Sequence, residues 1–139
     1  MIVIDTSAIL AFMNSADSMH HEVCDWLEQE RDALVTTPLI LAEADHLVGS
    51  RGGPSAQAAL RADLARGAYA VEWWRGAIQA TVEIAERYSD AGLGLADASL
   101  AALADHLGTV RIATLDERHF RAVRPVDGSA FKLLPADRA

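Results

Sequence analysis

Two apolar runs, each followed by an aspartate, constrain the fold of this chain more than any other feature. Asp5 ends the run at residues 1–4, and Asp116 follows a strand-like run at residues 110–115. The first run does not alternate polar and apolar residues, which is typical of a strand covered on both faces of a parallel sheet. Because carboxylates resist burial unless a cation offsets their desolvation, both aspartates need a compensating partner.

Length and composition indicate one folded domain over residues 1–139. The 139 residues are 51% hydrophobic, which is incompatible with a disordered chain. The first five residues lack a basic segment and reach an acid at once, so they do not read as a signal peptide. No apolar stretch approaches the roughly 20 residues that span a bilayer. A single cysteine, Cys24, excludes an internal disulfide, and we expect a cytoplasmic protein without membrane association.

The net charge limits how the chain can handle a polyanion. With 20 Asp and Glu against 12 Lys and Arg, the formal charge is -8. Nucleic-acid binders are usually basic, so this chain exerts no global attraction on a phosphate backbone. A nucleic acid would have to be drawn by bound metal or by local arginine.

The order of apolar runs and turn signals predicts an α/β fold with three α/β/α layers around a central, mainly parallel sheet. Residues 49–54 are rich in glycine and end in proline, which predicts a loop. Ser18 and the pair Thr37-Pro38 are predicted to start helices. Strands are predicted at 1–4, 33–36, 69–72, 110–113 and 131–134, and helices at 6–14, 18–30, 37–48, 55–65, 74–88, 95–107 and 117–123.

Two further acids, Glu43 and Asp97, lie inside apolar helical segments. In parallel sheets, ligands bind beyond the carboxyl ends of the strands, where Asp5 and Asp116 are predicted to lie. Convergence of all four would form an oxygen-only site suited to Mg²⁺ or Mn²⁺ and to metal-assisted phosphoryl transfer. Each acid also has a simpler explanation: helix capping for Asp5, Asp97 and Asp116, and a structural salt bridge for Glu43.

Four segments together resemble the PIN-domain ribonucleases, and most of all the VapC toxins of bacterial toxin–antitoxin pairs. The similarity covers essentially the whole chain, and the first and last segments are specific in combination. The segments are Ile2–Ser7, the helix carrying Glu43, Leu93–Ala98 and Ala113–Phe120.

The resemblance implies a metal-dependent endoribonuclease, usually dimeric, that is neutralised by a VapB-type antitoxin. It implies that Mg²⁺ or Mn²⁺ is bound by four catalytic carboxylates, with Thr6 and Thr114 supporting them by hydrogen bonds. The carboxylates are those of Asp5, Glu43, Asp97 and Asp116.

The arginines and the acidic groove suggest further contacts. Arg51 and Arg118 are candidates for contacting an RNA phosphate, although each also fits a solvated surface arginine. We expect the antitoxin to present an arginine-rich segment, because an acidic groove accepts basic side chains.

Two other functions fit the same pattern. A receiver-type phospho-acceptor shares the parallel sheet and the acids at strand ends, but it would need paired acids after the first strand and a late lysine. Here Asp5 stands alone and Lys132 lies beyond the last acidic motif. A catalytically silent PIN-fold interaction module is the other alternative, and four intact acids argue against it.

Overall fold

A five-stranded, all-parallel sheet forms the centre of the molecule in a computed structural model, which describes residues 1–138. The strand order is β3-β2-β1-β4-β5, and all four strand pairs are parallel. The predicted α/β class and parallel sheet are therefore confirmed. The strands are β1 (Ile2–Ile4), β2 (Leu34–Thr36), β3 (Ala70–Val71), β4 (Arg111–Ala113) and β5 (Lys132–Leu134).

The central strand β1 is covered on both faces. Ile2, Val3 and Ile4 are each 0% exposed, and successive side chains of a strand point to opposite faces. The chain runs outward from β1 to β2 and β3, and then returns to place β4 on the other side of β1. This reversal opens a crevice at the carboxyl ends of β1 and β4, the position at which ligands bind in such sheets.

Within residues 1–138, six α-helices and one short 3-10 helix connect and cover the strands. Two predicted starts are wrong. The second helix begins after Met19 rather than Ser18, and the fourth begins after Gly76, whose φ of 90° interrupts the predicted segment at 74–88. The helices are α1 (Thr6–Met13), α2 (His20–Gln29), α3 (Pro38–Ala65), α4 (Ala77–Arg87), α5 (Leu95–Leu107) and α6 (Glu117–Ala122), and the 3-10 helix is Ser89–Ala91.

The predicted loop at 49–54 is instead a sharp reversal inside α3. Helical geometry continues through Gly52 and breaks only at Gly53, where φ is 82° and ψ is -176°. Asp45 and Arg61 would lie about 24 Å apart on a straight helix, yet their side chains form two hydrogen bonds of 2.7 and 2.8 Å. The two halves of α3 therefore fold back on each other as a helical hairpin, and Asp45 closes it.

One continuous core holds the sheet to the helices. It contains the β1 residues, much of α5 and the buried side of the α3 hairpin, where Ile40, Ala44, Val48 and Leu60 are at most 4% exposed. Within the described part of the chain, none of the helices has the length and apolarity needed to cross a membrane.

Substituting Gly53 tests the hairpin. The backbone at Gly53 lies in a region that residues with a Cβ rarely adopt. We expect Gly53→Ala to lower the free energy of unfolding by about 1–3 kcal/mol, the usual cost of such strain. Chemical denaturation measures this change, and Gly94→Ala is the matched control because Gly94 has an ordinary φ of -77°. Equal stability of the two variants would contradict the strained turn.

Candidate metal centre

Asp5 is the most deeply buried acid in the crevice. Its residue is 3% exposed, and Oδ2 accepts hydrogen bonds from the hydroxyls of Ser7 and Thr114, each at 2.8 Å. Its other oxygen, Oδ1, is buried and has no hydrogen-bond partner among residues 1–138. Burial raises the pKa of Asp5, and the two hydroxyl hydrogen bonds offset only part of that rise. Among residues 1–138, this carboxylate has no cationic partner.

The Thr114 hydroxyl joins the ends of the two central strands. It donates to Asp5 Oδ2 and accepts the backbone N–H of Asp116 at 2.9 Å. Ser7 adds a second link, since its Oγ accepts the N–H of Leu115 at 2.9 Å. The hydrogen bonds of Thr114 hold Asp5 at a fixed position relative to the start of α6.

Ser7, rather than Thr6, supplies the second hydroxyl at this site. The Thr6 hydroxyl is buried and makes no hydrogen bond with residues 1–138, so the hydrogen bond expected from its side chain is not formed. Sequence reasoning missed Ser7, although a hydroxyl two residues after the strand-end aspartate was a usable signal. Side chains of Ser and Asp at this spacing commonly bond to one another and to nearby backbone.

Asp97 faces the other acids from the first turn of α5. Its side chain is 20% exposed. Burial is the largest cause of its high pKa, followed by the negative charges of its neighbours. Together they raise the pKa of Asp97 to about 7. The neighbouring charges are those of Asp5, Glu43 and Asp116, in decreasing order of effect. The part of the rise that comes from neighbouring charge reflects repulsion between the carboxylates.

Two buried hydroxyl contacts fix the elements that carry these acids. Thr37, which caps α3, and Ser99 of α5 are joined by a hydrogen bond of 2.8 Å between their hydroxyls. The Thr36 hydroxyl donates to the carbonyl oxygen of Ile4 at 2.9 Å. The starts of α3 and α5 are thereby held beside the end of β1.

Asp116 caps α6, as the simpler interpretation of this residue predicted. Its Oδ1 accepts the backbone N–H of His119 at 3.1 Å, and its Oδ2 lies 2.7 Å from the ring Nδ1 of the same histidine. One possible ligand atom from each of Asp97, Asp116 and His119 lies within 4.8 Å of the other two. Capping and membership of the acidic cluster are therefore compatible for Asp116.

Glu43 is placed at the crevice but is not buried. Although its segment is apolar, Glu43 lies off the buried stripe of the helix, which Ile40, Ala44 and Val48 form, and it is exposed. Its charge still contributes to the raised pKa values of Asp5 and Asp97, after burial and other causes. No salt bridge to Glu43 is formed among the described residues, so the predicted alternative of a structural ion pair is wrong.

The two candidate arginines and the late lysine lie in different places. Arg118 is exposed beside His119. The hydrogen bond to Asp116 raises the pKa of His119, and the charge of Arg118 opposes that rise. Arg51 lines a cavity of about 260 Å³ beside the last turn of α1, roughly 12 Å along the helix from Glu43. Lys132 starts β5 opposite Arg111 at the amino ends of the strands, which is the wrong edge for a receiver-type site.

The arrangement concentrates negative charge, and among residues 1–138 none of the Arg or Lys side chains forms a salt bridge with Asp5, Asp97 or Asp116. Asp5, Asp97 and Asp116 come from three separate elements and are joined at the rim by Glu43. Oxygen donors of this kind suit a hard divalent cation, which would neutralise their mutual repulsion. The chemistry accessible to such a centre is hydrolysis assisted by a bound metal.

Comparison with known proteins agrees with this fold. The sequence profile of the PIN domain matches residues 2–125. Ribonuclease VapC26 of Mycobacterium tuberculosis (strain ATCC 25618 / H37Rv) is 40% identical over 135 residues, which cover 96% of this chain and 100% of that protein.

Two solved structures share the fold. The Mycobacterium tuberculosis VapC20 structure, a sarcin-ricin loop cleaving toxin, has a TM-score of 0.77 and 22% identity, and covers 84% of this chain and 90% of its own. FitAcB from Neisseria gonorrhoeae has a TM-score of 0.67 and 20% identity, covering 94% and 96%. At these identities the two structures support the fold alone.

The parallel sheet with an acidic crevice between β1 and β4, together with the match to the PIN profile, identifies the class as PIN-domain proteins. The chain belongs to the PIN domain family, and its identity to VapC26 places it in the VapC group of that family.

The raised pKa of Asp97 has a measurable consequence for stability. The folded protein holds this proton to about pH 7, whereas the ordinary value is 3.8. The folded state binds this proton more tightly than the unfolded state does. The resulting contribution to the free energy of unfolding is therefore complete below about pH 4 and is lost as pH rises to 7. We expect metal-free Asp97→Asn to lose less stability than the parent over this range. Its free energy of unfolding should exceed that of the parent above pH 7.

Denaturant unfolding with chelator present, at intervals between pH 4 and pH 8, measures the effect. Asp25→Asn is the control, because Asp25 is an exposed aspartate of α2. Parallel curves for Asp97→Asn and the parent would show that Asp97 titrates as an ordinary surface acid.

Proposed function

We propose that this protein is a metal-dependent endoribonuclease and the toxin component of a type II toxin–antitoxin pair. The observation that carries the proposal is the meeting of Asp5, Asp97 and Asp116 at one crevice in a chain 40% identical to ribonuclease VapC26. Asp5, Glu43, Asp97 and Asp116 are the proposed catalytic carboxylates.

Features of the crevice support a divalent cation as the cofactor. Asp5 Oδ1 is a buried acceptor without a donor among residues 1–138, and the pKa of Asp97 is raised by burial and by adjacent negative charge. Both features are relieved by a cation between the carboxylates. Because the acids offer only oxygen, the proposed ion is Mg²⁺ or Mn²⁺.

The chain's own residues have distinct proposed tasks. A divalent cation at such a centre stabilises negative charge on a phosphodiester and lowers the pKa of water. Asp5, held by hydrogen bonds from Ser7 and Thr114, is the buried carboxylate with a fixed position in the centre. Glu43 completes it from the exposed side. The proposed products of hydrolysis are a 5′-phosphate and a 3′-hydroxyl.

The substrate must be attracted locally, because the chain carries a net charge of -8. Arg118 is exposed next to the Asp116–His119 pair, which makes it the better placed of the two candidate arginines for contacting an RNA phosphate. Arg51 lies beside α1, away from the acids, and its proposed contact with RNA would be at a distance from the cleaved bond. An RNA substrate implies action in the cytoplasm.

Chelation and the Asp5→Asn variant test the nuclease proposal. We expect cleavage of RNA with Mg²⁺ or Mn²⁺, and its loss with excess chelator. Asp5→Asn should reduce the rate roughly 100-fold or more, because metal catalysis contributes several kcal/mol. The variant should fold, since burial already disfavours the charged form of Asp5. End-labelled RNA followed on gels measures the rate, with Asp25→Asn as the control.

Three outcomes would overturn the mechanism. Cleavage that resists the chelator, products with 2′,3′-cyclic ends, or full activity in a correctly folded Asp5→Asn variant would each exclude it. A metal-binding protein that cuts no RNA would instead support the silent interaction module.

An antitoxin that blocks the acidic crevice is the proposed partner. A segment rich in arginine complements the crevice in charge, and its side chains would compete with the metal. We expect millimolar Mn²⁺ to weaken the complex between the protein and the product of the adjacent reading frame. Titration calorimetry with and without Mn²⁺ measures this competition, and an affinity independent of Mn²⁺ would exclude blocking of the centre.

A homodimer is also proposed. Ile78 and Val82 lie one turn apart on α4 and are 58% and 38% exposed, so they form an apolar face available for a second copy. Light scattering of the parent and of Ile78→Glu would detect the dimer and its loss.

A further inference from the structure

His119 holds both oxygens of Asp116. Its backbone N–H donates to Oδ1 at 3.1 Å, and its ring Nδ1 lies 2.7 Å from Oδ2. The first contact is an ordinary helix cap that any residue at this position can make. The second contact depends on the imidazole ring, and the helix cap does not require it.

The direction of the ring hydrogen bond follows from chemistry. An ionised carboxylate has no proton to donate, so Nδ1 must carry the hydrogen and Oδ2 must accept it. With Asp116 ionised, Nδ1 then has no lone pair for a metal, so this nitrogen acts on the centre only through Asp116. The same Nδ1 lies 3.9 Å from Asp97 Oδ2, so this nitrogen is near both carboxylates.

We propose that His119 is a positioning residue, which holds the Asp116 carboxylate toward Asp97 in the orientation that binds the metal. The inference rests on the proposed metal centre and assigns this residue a role within it. Groups that hydrogen-bond to metal-binding carboxylates fix their rotation, and losing them typically weakens metal binding by about 10–100-fold. Without the ring, Asp116 keeps its helix cap through Oδ1, and Oδ2 is left to water.

A pair of substitutions separates positioning from packing. His119→Asn keeps an N–H donor close to the place of Nδ1, whereas His119→Leu fills similar space without a donor. Arg124→Leu is the control, because Arg124 is an exposed cation just beyond α6. Calorimetric titration of the chelator-treated, full-length proteins with Mn²⁺ gives the affinity without any reliance on activity.

We expect His119→Leu to bind Mn²⁺ about 10–100-fold more weakly than the parent. His119→Asn and Arg124→Leu should bind with an affinity close to that of the parent. Equal affinity for His119→Leu and the parent would overturn the positioning role while leaving the proposed nuclease intact. Equal weakening in both His119 variants would also overturn it.

Two further readings complete the test. Nitrogen coupling in the electron paramagnetic resonance of bound Mn²⁺, if present in the parent and absent from His119→Asn, would show direct ligation and overturn positioning through Asp116. Failure of the parent to bind Mn²⁺ would overturn the proposed metal centre itself. If His119→Leu does not fold, His119→Ser provides the comparison, because its side chain is too short to reach Oδ2.

Discussion

The hydrogen bond from the Thr114 hydroxyl to Asp5 Oδ2 is the contact on which the site depends. It joins residues at the carboxyl ends of two parallel strands, and the same hydroxyl accepts the N–H of Asp116. The adjacent pairing of Ile4 with Ala113 brings the two ends level. One buried hydroxyl thus relates the deepest acid to the acid that starts α6, and small movements of either strand would separate them.

The acidic crevice works against folding stability. Burial and mutual repulsion raise the pKa values of Asp5 and Asp97, so their charged forms are costly in the folded chain without a cation. The apolar strand β1 and the Ala- and Leu-rich α5 offset this cost, since every residue of β1 and the middle of α5 are buried. Strain at acidic sites of this kind is expected where binding chemistry is selected over stability.

Periodicity and turn signals located most elements, but they misplaced two helix starts and predicted a loop inside α3. The strand-end aspartates, the Thr37-Pro38 helix start and the closure of α5 at Gly108 agree with local signals. The glycine-rich segment at 49–54 was interpreted as a loop, yet only Gly53 leaves helical geometry. Local composition cannot show that Asp45 and Arg61, sixteen residues apart, hold two helical halves together.

The amino-acid pattern was enough to predict buried parallel strands that end in acids. It was also enough to predict that their oxygen donors suit a hard cation. Which side chains contact the metal centre depends on how the helices and strands pack. This packing selected the hydroxyl of Ser7 over that of Thr6, left Glu43 at the exposed rim, and placed His119 against Asp116. The physical reason is that periodicity assigns a residue to a face, whereas hydrogen bonds between distant segments depend on how the elements pack.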